Sequence, residues 1–426
     1  MDLLWLCVLF IALLVMRFPI AYAMILTSLV SLWVDELPIL NLSQKIASGV
    51  DSFPLLAIPL FILAGNLMNT LGVTERIFGL ANVLVRHISG GLGHVNVLAS
   101  LIFAGMSGSS IADAGGLGAV EIKAMNEAGY PPAFSAAVTA ASATIGPVVP
   151  PSIAMVIYAF IAQESVAALF LAGLIPGLLM AALLMTIIMV LCRNGSTAPS
   201  MPRATMTETR HAIRRAIWPL LAPVILVGGI LFGIFTPTEA GVVVVFYVLL
   251  IGSTDAKFTA TDLACAIRDT ARTTSATLFI IAVSMIFGWI VVVNDVPNLI
   301  FTFVSGFADS QTTVMIFIIV TMLAIGMFLE GIPAQLITVP TFLVLAAQYN
   351  IDPIHLGVVV VLTIMIGSLT PPVGLVLYTV MATTNIRMIT LVKALWPFYL
   401  VLLIATLLVA LVPSISLWLP TTALNN

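Results

Sequence analysis

Charge is what this sequence has least of. Only 8% of its 426 residues are Asp, Glu, Lys or Arg, against roughly 25% in soluble domains. That scarcity, with 61% hydrophobic residues and a mean hydropathy of +1.20, excludes an ordinary soluble domain and points to a membrane protein. A formal charge of −3 offers no basic surface for nucleic acid. Cysteine is also scarce. Cys7, Cys192 and Cys265 form no CxxC pair, which leaves neither a disulfide framework nor a zinc site. The four histidines, His87, His94, His211 and His355, are isolated and read as interfacial or loop residues rather than ligands. No HExxH or GxSxG occurs, so an enzyme is not expected. No basic n-region precedes the first apolar run, Leu3 to Met16, so it reads as a retained span rather than a signal peptide.

What is abundant is apolar sequence, interrupted by proline and glycine. A bilayer core needs about 20 apolar residues of helix. Apolar stretches run at about 3–16, 20–35, 53–70, 94–120, 133–160, 166–192, 217–235, 239–252, 274–294, 312–346, 355–383 and 393–418. Basic residues select a topology among them. Taking the Arg193–Arg215 linker as cytoplasmic, and 94–120 and 312–346 as hairpins returning to their own side, leaves only Lys45 of fifteen Lys and Arg outside. This pattern obeys the positive-inside rule, and it predicts five crossings per half with both termini periplasmic.

The chain also matches itself at an offset of 221 residues without a gap. Gly105-Met106 pairs with Gly326-Met327, Pro132 with Pro353 and Ile145-Gly146 with Ile366-Gly367. Pro150-Pro151 pairs with Pro371-Pro372 and Pro176 with Pro397. An odd number of crossings per half makes the second half run in the opposite sense, the inverted repeat of many secondary transporters. The expected fold is therefore an all-α polytopic membrane protein of two inverted-topology repeats. The first repeat spans 1–192, with a re-entrant hairpin at about 94–120 and a broken helix at about 133–160. Residues 193–216 form a basic linker. The second repeat spans 217–426, with its hairpin at about 312–346 and its broken helix at about 355–383.

Ile145–Pro151 and Ile366–Pro372 cannot stay in continuous helix, because an interior proline costs on the order of 3 kcal/mol and frees a carbonyl. Free carbonyls at membrane depth must line a cavity or be buried in protein. Oxygen ligands there suit Na⁺, and half-helix N-termini suit an anion. The first hairpin tip, Gly105–Gly116, carries Ser107, Ser109 and Ser110 and an acid, Asp113. The second carries Glu330 beside Gly331 and Pro333. For either acid three roles fit: cation ligand, proton site or a cap on a hairpin end. No Lys or Arg falls in this expected core, so a carboxylate substrate would rest on amides, hydroxyls, helix dipoles and co-bound cations. Thr236-Pro237-Thr238-Glu239 reads as a helix N-cap ahead of an apolar run.

Four motifs in this order, Gly105–Asp113, Ile145–Ser152, Thr236–Gly241 and Gly367–Gly374, resemble the large membrane subunit of tripartite ATP-independent periplasmic (TRAP) transporters, the DctM-like M subunit, over essentially the whole chain. The resemblance implies Na⁺-driven import of an organic acid, such as a dicarboxylate or sialic acid, by an elevator mechanism in the bacterial inner membrane, with Na⁺ as coupling ion and no other cofactor. It implies a periplasmic substrate-binding protein and a small four-helix membrane subunit as partners. With nothing before the first span, that small subunit is expected to be separate. Carried over residue by residue, it assigns Ser107, Ser110, Gly146 and Val149 to one Na⁺ site. Gly326, Gly367, Thr370 and Val373 go to the other. Ser109, Asp113, Pro150, Glu330 and Pro371 are candidates for substrate binding or coupling. The alternative is a self-sufficient Na⁺- or H⁺-coupled anion symporter of the same architecture.

Overall fold

A computed structural model describes residues 3–16, 18–193, 202–253 and 258–424. Arg17, Lys257 and residues 194–201 of the basic linker lie outside them. All regular secondary structure among the described residues is helical, with no strand. Helices α1 (Leu3–Val15), α2 (Ile20–Val34), α3 (Leu40–Val50), α4 (Ala57–Thr70) and α5 (Val73–Val85) come first. A hairpin follows, from α6 (Gly91–Ser107) through the one-turn α7 (Ser110–Ala112) and a π-helical turn, Asp113–Leu117, into α8 (Gly118–Glu127). The limbs of the first broken helix are α9 (Pro132–Ser142) and α10 (Ile153–Ala162), and α11 (Val166–Cys192) follows. Next come α12 (Met206–Leu231), α13 (Pro237–Ser253), α14 (Ala260–Val293) and α15 (Val296–Ser305). The second hairpin is α16 (Gln311–Gly326) with α17 (Gly331–Gln348), and the second broken helix is α18 (Pro353–Gly367) with α19 (Leu375–Thr384). Helices α20 (Met388–Leu411) and α21 (Ser414–Leu424) end the described chain.

Burial separates these helices into two kinds. Every residue from His355 to Gly367 in α18, and from Ser135 to Ser142 in α9, is buried. A helix enclosed on all sides belongs to a core, so the broken helices sit at the centre. By contrast α12 and α20 expose Ile217, Trp218, Val224, Trp396, Leu400 and Ile404 along one side, as helices facing lipid do. Six helices among the described residues are long and apolar enough to span a membrane, α11, α12, α14 and α20 among them. At 34 residues α14 is about 50 Å long, well beyond a hydrocarbon core of roughly 30 Å. Its polar start, with Asp262, Arg268 and Arg272, therefore extends past the apolar layer.

Local chemistry explains the boundaries. Pro132 and Pro353, at the 221-residue offset, both occupy first-turn positions of α9 and α18, where a missing N–H costs nothing. The Pro150–Pro151 and Pro371–Pro372 peptides are both cis. At Thr236 the capping reading holds. The Glu239 carboxylate accepts from Thr236 N–H and Oγ at 2.8 Å each, and Glu239 N–H donates back to Thr236 Oγ at 3.3 Å. A second capping box, Thr205 with Glu208, starts α12 at Met206. The 193–216 stretch is thus not linker throughout; its last eleven residues are helix, and the Thr-x-x-Glu signal was there to be read.

Two histidines are more buried than interfacial residues would be. His94 Nε2 pairs with the Ser89 carbonyl at 2.8 Å. His355 pairs with Ser416 Oγ at 2.7 Å and the Ala410 carbonyl at 3.3 Å, tying α18 to the end of the chain. Both rings are held by hydrogen bonds inside the protein. The two broken helices are joined as well. Gly357 lets the Tyr158 ring approach so closely that an added Cβ would lie 2.5 Å from it, and Tyr158 Oη donates to the Pro353 carbonyl at 2.6 Å. Tyr158→Phe removes that hydrogen bond between α10 and α18 and is expected to lower stability by about 1 kcal/mol. A thermal unfolding midpoint in detergent equal to the parent's would show the hydroxyl to be dispensable.

Candidate functional site

The first hairpin tip forms because α6 cannot continue past Gly108, which adopts φ +58°, a region that suits glycine. Ser109 is extended, and its Oγ accepts from Ala112 N–H at 3.4 Å, restarting the chain as helix. This tip is seated in the first break. A Cβ added at Gly108 would lie 2.4 Å from the Pro151 carbonyl oxygen, and one at Gly146 would lie 3.5 Å from the Ser109 carbonyl. The break is itself braced. Ser152 Oγ donates to the Pro147 carbonyl and accepts from Met155 N–H at 3.1 Å, capping α10. From behind, α11 approaches at Gly173, where a Cβ would meet the Val148 carbonyl at 2.3 Å.

The second tip meets the second break by backbone pairing. Val373 N–H and Gly374 N–H both donate to the Met327 carbonyl, at 3.2 and 3.3 Å. Gly326 and Gly367 touch backbone to backbone, with an added Cβ at Gly367 only 2.7 Å from Gly326 Cα. Thr370 Oγ donates to the Ile366 carbonyl at 2.8 Å and Tyr399 Oη to the Leu369 carbonyl.

All four segments converge on one cavity of about 80 Å³. Ser109 and Ser110 of the first tip, Pro147 of the first break, Glu330 and Gly331 of the second tip and Ser368 of the second break all line it. Its lining contains one acid, Glu330, and no Lys or Arg. Three of the residues assigned to the first Na⁺ site, Ser107, Ser110 and Gly146, lie at this tip-and-break contact. Ser107 Oγ is buried and makes no hydrogen bond. The Val149 side chain points away, onto Gly177 of α11. Of the second set, Gly326 and Gly367 are in contact, Thr370 has spent its hydroxyl proton within its own turn, and Val373 has spent its N–H on Met327. Asp113, Pro150 and Pro371 lie outside the cavity lining.

Asp113 is nevertheless unusual, and it has a neighbour that sequence reasoning missed. Asp113 and Glu121 are both fully buried, and none of their four carboxyl oxygens forms a hydrogen bond. Glu121 escaped notice because Lys123 and Glu127, a pair on the same short helix, make α8 look like a solvated surface helix. Only the small residues Gly115, Gly116 and Gly118 around it hint at close packing.

The family model for the DctM component of tripartite ATP-independent periplasmic transporters matches residues 7–415. The chain belongs to that family. It is a transporter permease and not an enzyme. It is 40% identical over 404 residues, 94% of each chain, to the sialic acid TRAP transporter large permease protein SiaM of Vibrio cholerae. It is 37% identical over 385 residues, 89% of each chain, to the C4-dicarboxylate TRAP transporter large permease protein DctM of Pseudomonas aeruginosa. Among solved structures, the Alcanivorax borkumensis YdaH transporter superposes with a TM-score of 0.63 over 87% of this chain and 86% of that one. At 14% identity that likeness speaks to fold alone.

The tip-and-break contacts are sensitive to single atoms. Gly108→Ala and Gly367→Ala each place a methyl group against backbone, which cannot yield, and are expected to abolish uptake while the protein still reaches the membrane. Gly228→Ala, with open space around it, is the control. Wild-type uptake by Gly108→Ala would show that the tip does not need to seat this closely.

Proposed function

We propose that this chain is the large membrane subunit of a Na⁺-coupled, binding-protein-dependent importer of an organic acid in a bacterial inner membrane. It works with a small four-helix membrane subunit and a periplasmic substrate-binding protein. The observation that carries this reading is the single cavity built from two hairpin tips and two broken helices, backed by membership of a tripartite family. Carbonyls and hydroxyls from unwound chain are the oxygen donors that Na⁺ prefers, and a helix start such as that of α10 at the first break suits an anion. In this reading Ser107, Ser110, Gly146 and Val149 hold one ion, and Gly326, Gly367, Thr370 and Val373 the other. At Gly146, Val149, Gly326, Gly367 and Val373 the ligand would be the main-chain carbonyl. Ser109 and Glu330 face the substrate, and Asp113, Pro150 and Pro371 support the tip and breaks from outside the cavity.

The recurrence of helix starts at the 221-residue offset supports a repeat with 1–192 and 217–426 as its halves, and the distribution of Lys and Arg is what favours inverted halves with both termini periplasmic. In an elevator mechanism the hairpins and broken helices, already packed as one core, would move together against the lipid-facing helices. The acid itself is left open. SiaM and DctM differ in the acids they are named for, yet their identities to this chain, 40% and 37%, are nearly equal.

Uptake of sialic acid and of a C4-dicarboxylate into proteoliposomes tests the reading. Transport is expected only with the small subunit and the matching binding protein present, and only down an inward Na⁺ gradient. Uptake by this chain alone would favour the self-sufficient symporter instead. Within the same assay, Ser110→Ala or Thr370→Val removes one oxygen ligand and is expected to raise the Na⁺ concentration for half-maximal uptake about tenfold or more. A Na⁺ response identical to the parent's in both variants would remove these residues from the ion sites.

A further inference from the structure

Asp113 and Glu121, the two enclosed acids behind the first hairpin tip, take no part in the central cavity. The packing that encloses them is close. Gly118 brings α8 against α9, where an added Cβ would lie 2.5 Å from Thr139 Cγ2. Further along α8, Met125 Sδ lies 3.9 Å from Asn96 Nδ2 of α6. Glu121 stands between these two contacts on the same buried face of α8, within reach of the Asp113 charge.

The groups around the pair offer lone pairs rather than protons. Ser100 lies beside Asp113, and its hydroxyl starts a buried chain. Ser100 Oγ donates to Ser142 Oγ at 3.1 Å, Ser142 Oγ to Asn96 Oδ1 at 2.6 Å, and Asn96 Nδ2 to Thr139 Oγ1 at 2.6 Å. The amide fixes the order. Asn96 Oδ1 can only accept, so Ser142 gives its proton there and Ser100 must give its own to Ser142. What Ser100 has left for Asp113 is a lone pair. No Lys, Arg or His acts on either carboxyl. Among the titratable groups on the elements packed around the pair, His94 of α6 is held at the Ser89 carbonyl, and Lys123 and Glu127 of α8 face outward together. Tyr378 of α19 is exposed, while Glu75 and Arg76 of α5 line a separate gap beside α12.

The second half shows that the fold itself does not need these acids. At the 221-residue offset Asp113 corresponds to Ala334, Glu121 to Phe342 and Asn96 to Phe317. Ala334 and Phe342 are buried in α17, as their counterparts are in the first hairpin. Hairpins of the same build are thus packed with apolar side chains in one half and with two carboxylates in the other. Carboxylates shut away from water and from every donor are costly unless positive charge joins them.

We infer that Asp113 and Glu121 form a cation site of their own, outside the central cavity, holding one monovalent cation per carboxylate, a sodium ion or a proton, with the Ser100 hydroxyl as a further oxygen partner. A calcium ion would want about six to eight oxygen ligands, and no group of three His, Cys, Asp or Glu that could hold a metal occurs among the described residues. Asp113 opens the π-helical turn that follows α7, which places the site directly behind the tip.

Two counts on the full-length chain in detergent test the site without recourse to uptake, so its failure is separate from failure of the importer reading. One is radioactive sodium bound at equilibrium at neutral pH. The other is the number of protons released when the protein is unfolded at that pH, where an exposed carboxyl is ionised. In the sum of the two counts the parent is expected to exceed Glu121→Gln by one, Asp113→Asn by one and the double variant by two. A difference in the first count assigns sodium, and one in the second assigns the proton. Glu127→Gln, which removes an exposed acid from the same helix, should match the parent in both. If one single variant fails to fold, the other decides. Counts for Glu121→Gln and Asp113→Asn equal to the parent's would overturn the inference.

Discussion

A backbone carbonyl inside a membrane has no water to turn to, and that constraint organises the whole molecule. Prolines at positions 147, 150 and 151, and again at 371 and 372, interrupt two helices at the very centre of the protein. Each interruption releases polar main-chain groups that must be satisfied internally or left to line a cavity. The structure does both. Ser152 takes the Pro147 carbonyl, Tyr399 takes that of Leu369, and the Met327 carbonyl takes two N–H groups from the second break. What remains unspent faces a space lined by residues from both hairpin tips.

The hairpins follow from the same constraint. A break stays dry only if something plugs it, and a plug made of side chains would compete for the carbonyls. The first tip is made largely of glycine and serine, and both tips approach their breaks main chain to main chain, at Gly108 with Pro151 and at Gly326 with Gly367. Such contacts tolerate no added methyl group, so tip and break behave as one packed unit. The helices around this unit are different. They carry apolar side chains outward and start at caps such as Thr205 with Glu208 and Thr236 with Glu239, with α11 among them pressed against the first break, at Gly173.

Much of this could be read from residues alone, for a physical reason. Proline pairs, glycine-rich turns and the scarcity of charge act locally and through composition, so the hairpins, the breaks and the lipid-facing helices were visible in the sequence. The contact of Gly326 with Gly367 was implied only as a pair of ligands carried over from a family resemblance. That they touch, and that Thr370 and Val373 have already used their protons nearby, needed coordinates. Burial of charge was the least legible feature. Glu121 sits at the very end of the 94–120 apolar run and two residues before a lysine, so nothing in its neighbourhood separates a solvated acid from one wholly enclosed. The packing of α8 against α9 and α6 decides it, and packing between distant segments leaves little trace in local composition.

The distribution of charge then narrows the chemistry at the centre. An arginine in the cavity would hold a carboxylate by itself, tightly and with no need of a second ion. Its lining instead offers hydroxyls, main-chain groups and the single acid Glu330. An anion entering that space would meet a net repulsion unless positive charge came with it, and helix N-termini contribute only about half a charge each. Bound cations are the remaining source. In the proposed Na⁺-coupled reading, the scarcity of basic residues noticed first in the composition would be a requirement of the mechanism. A site without its own fixed positive charge would hold an anion well only while co-bound cations were present, which is the condition for a gradient of those ions to drive uptake.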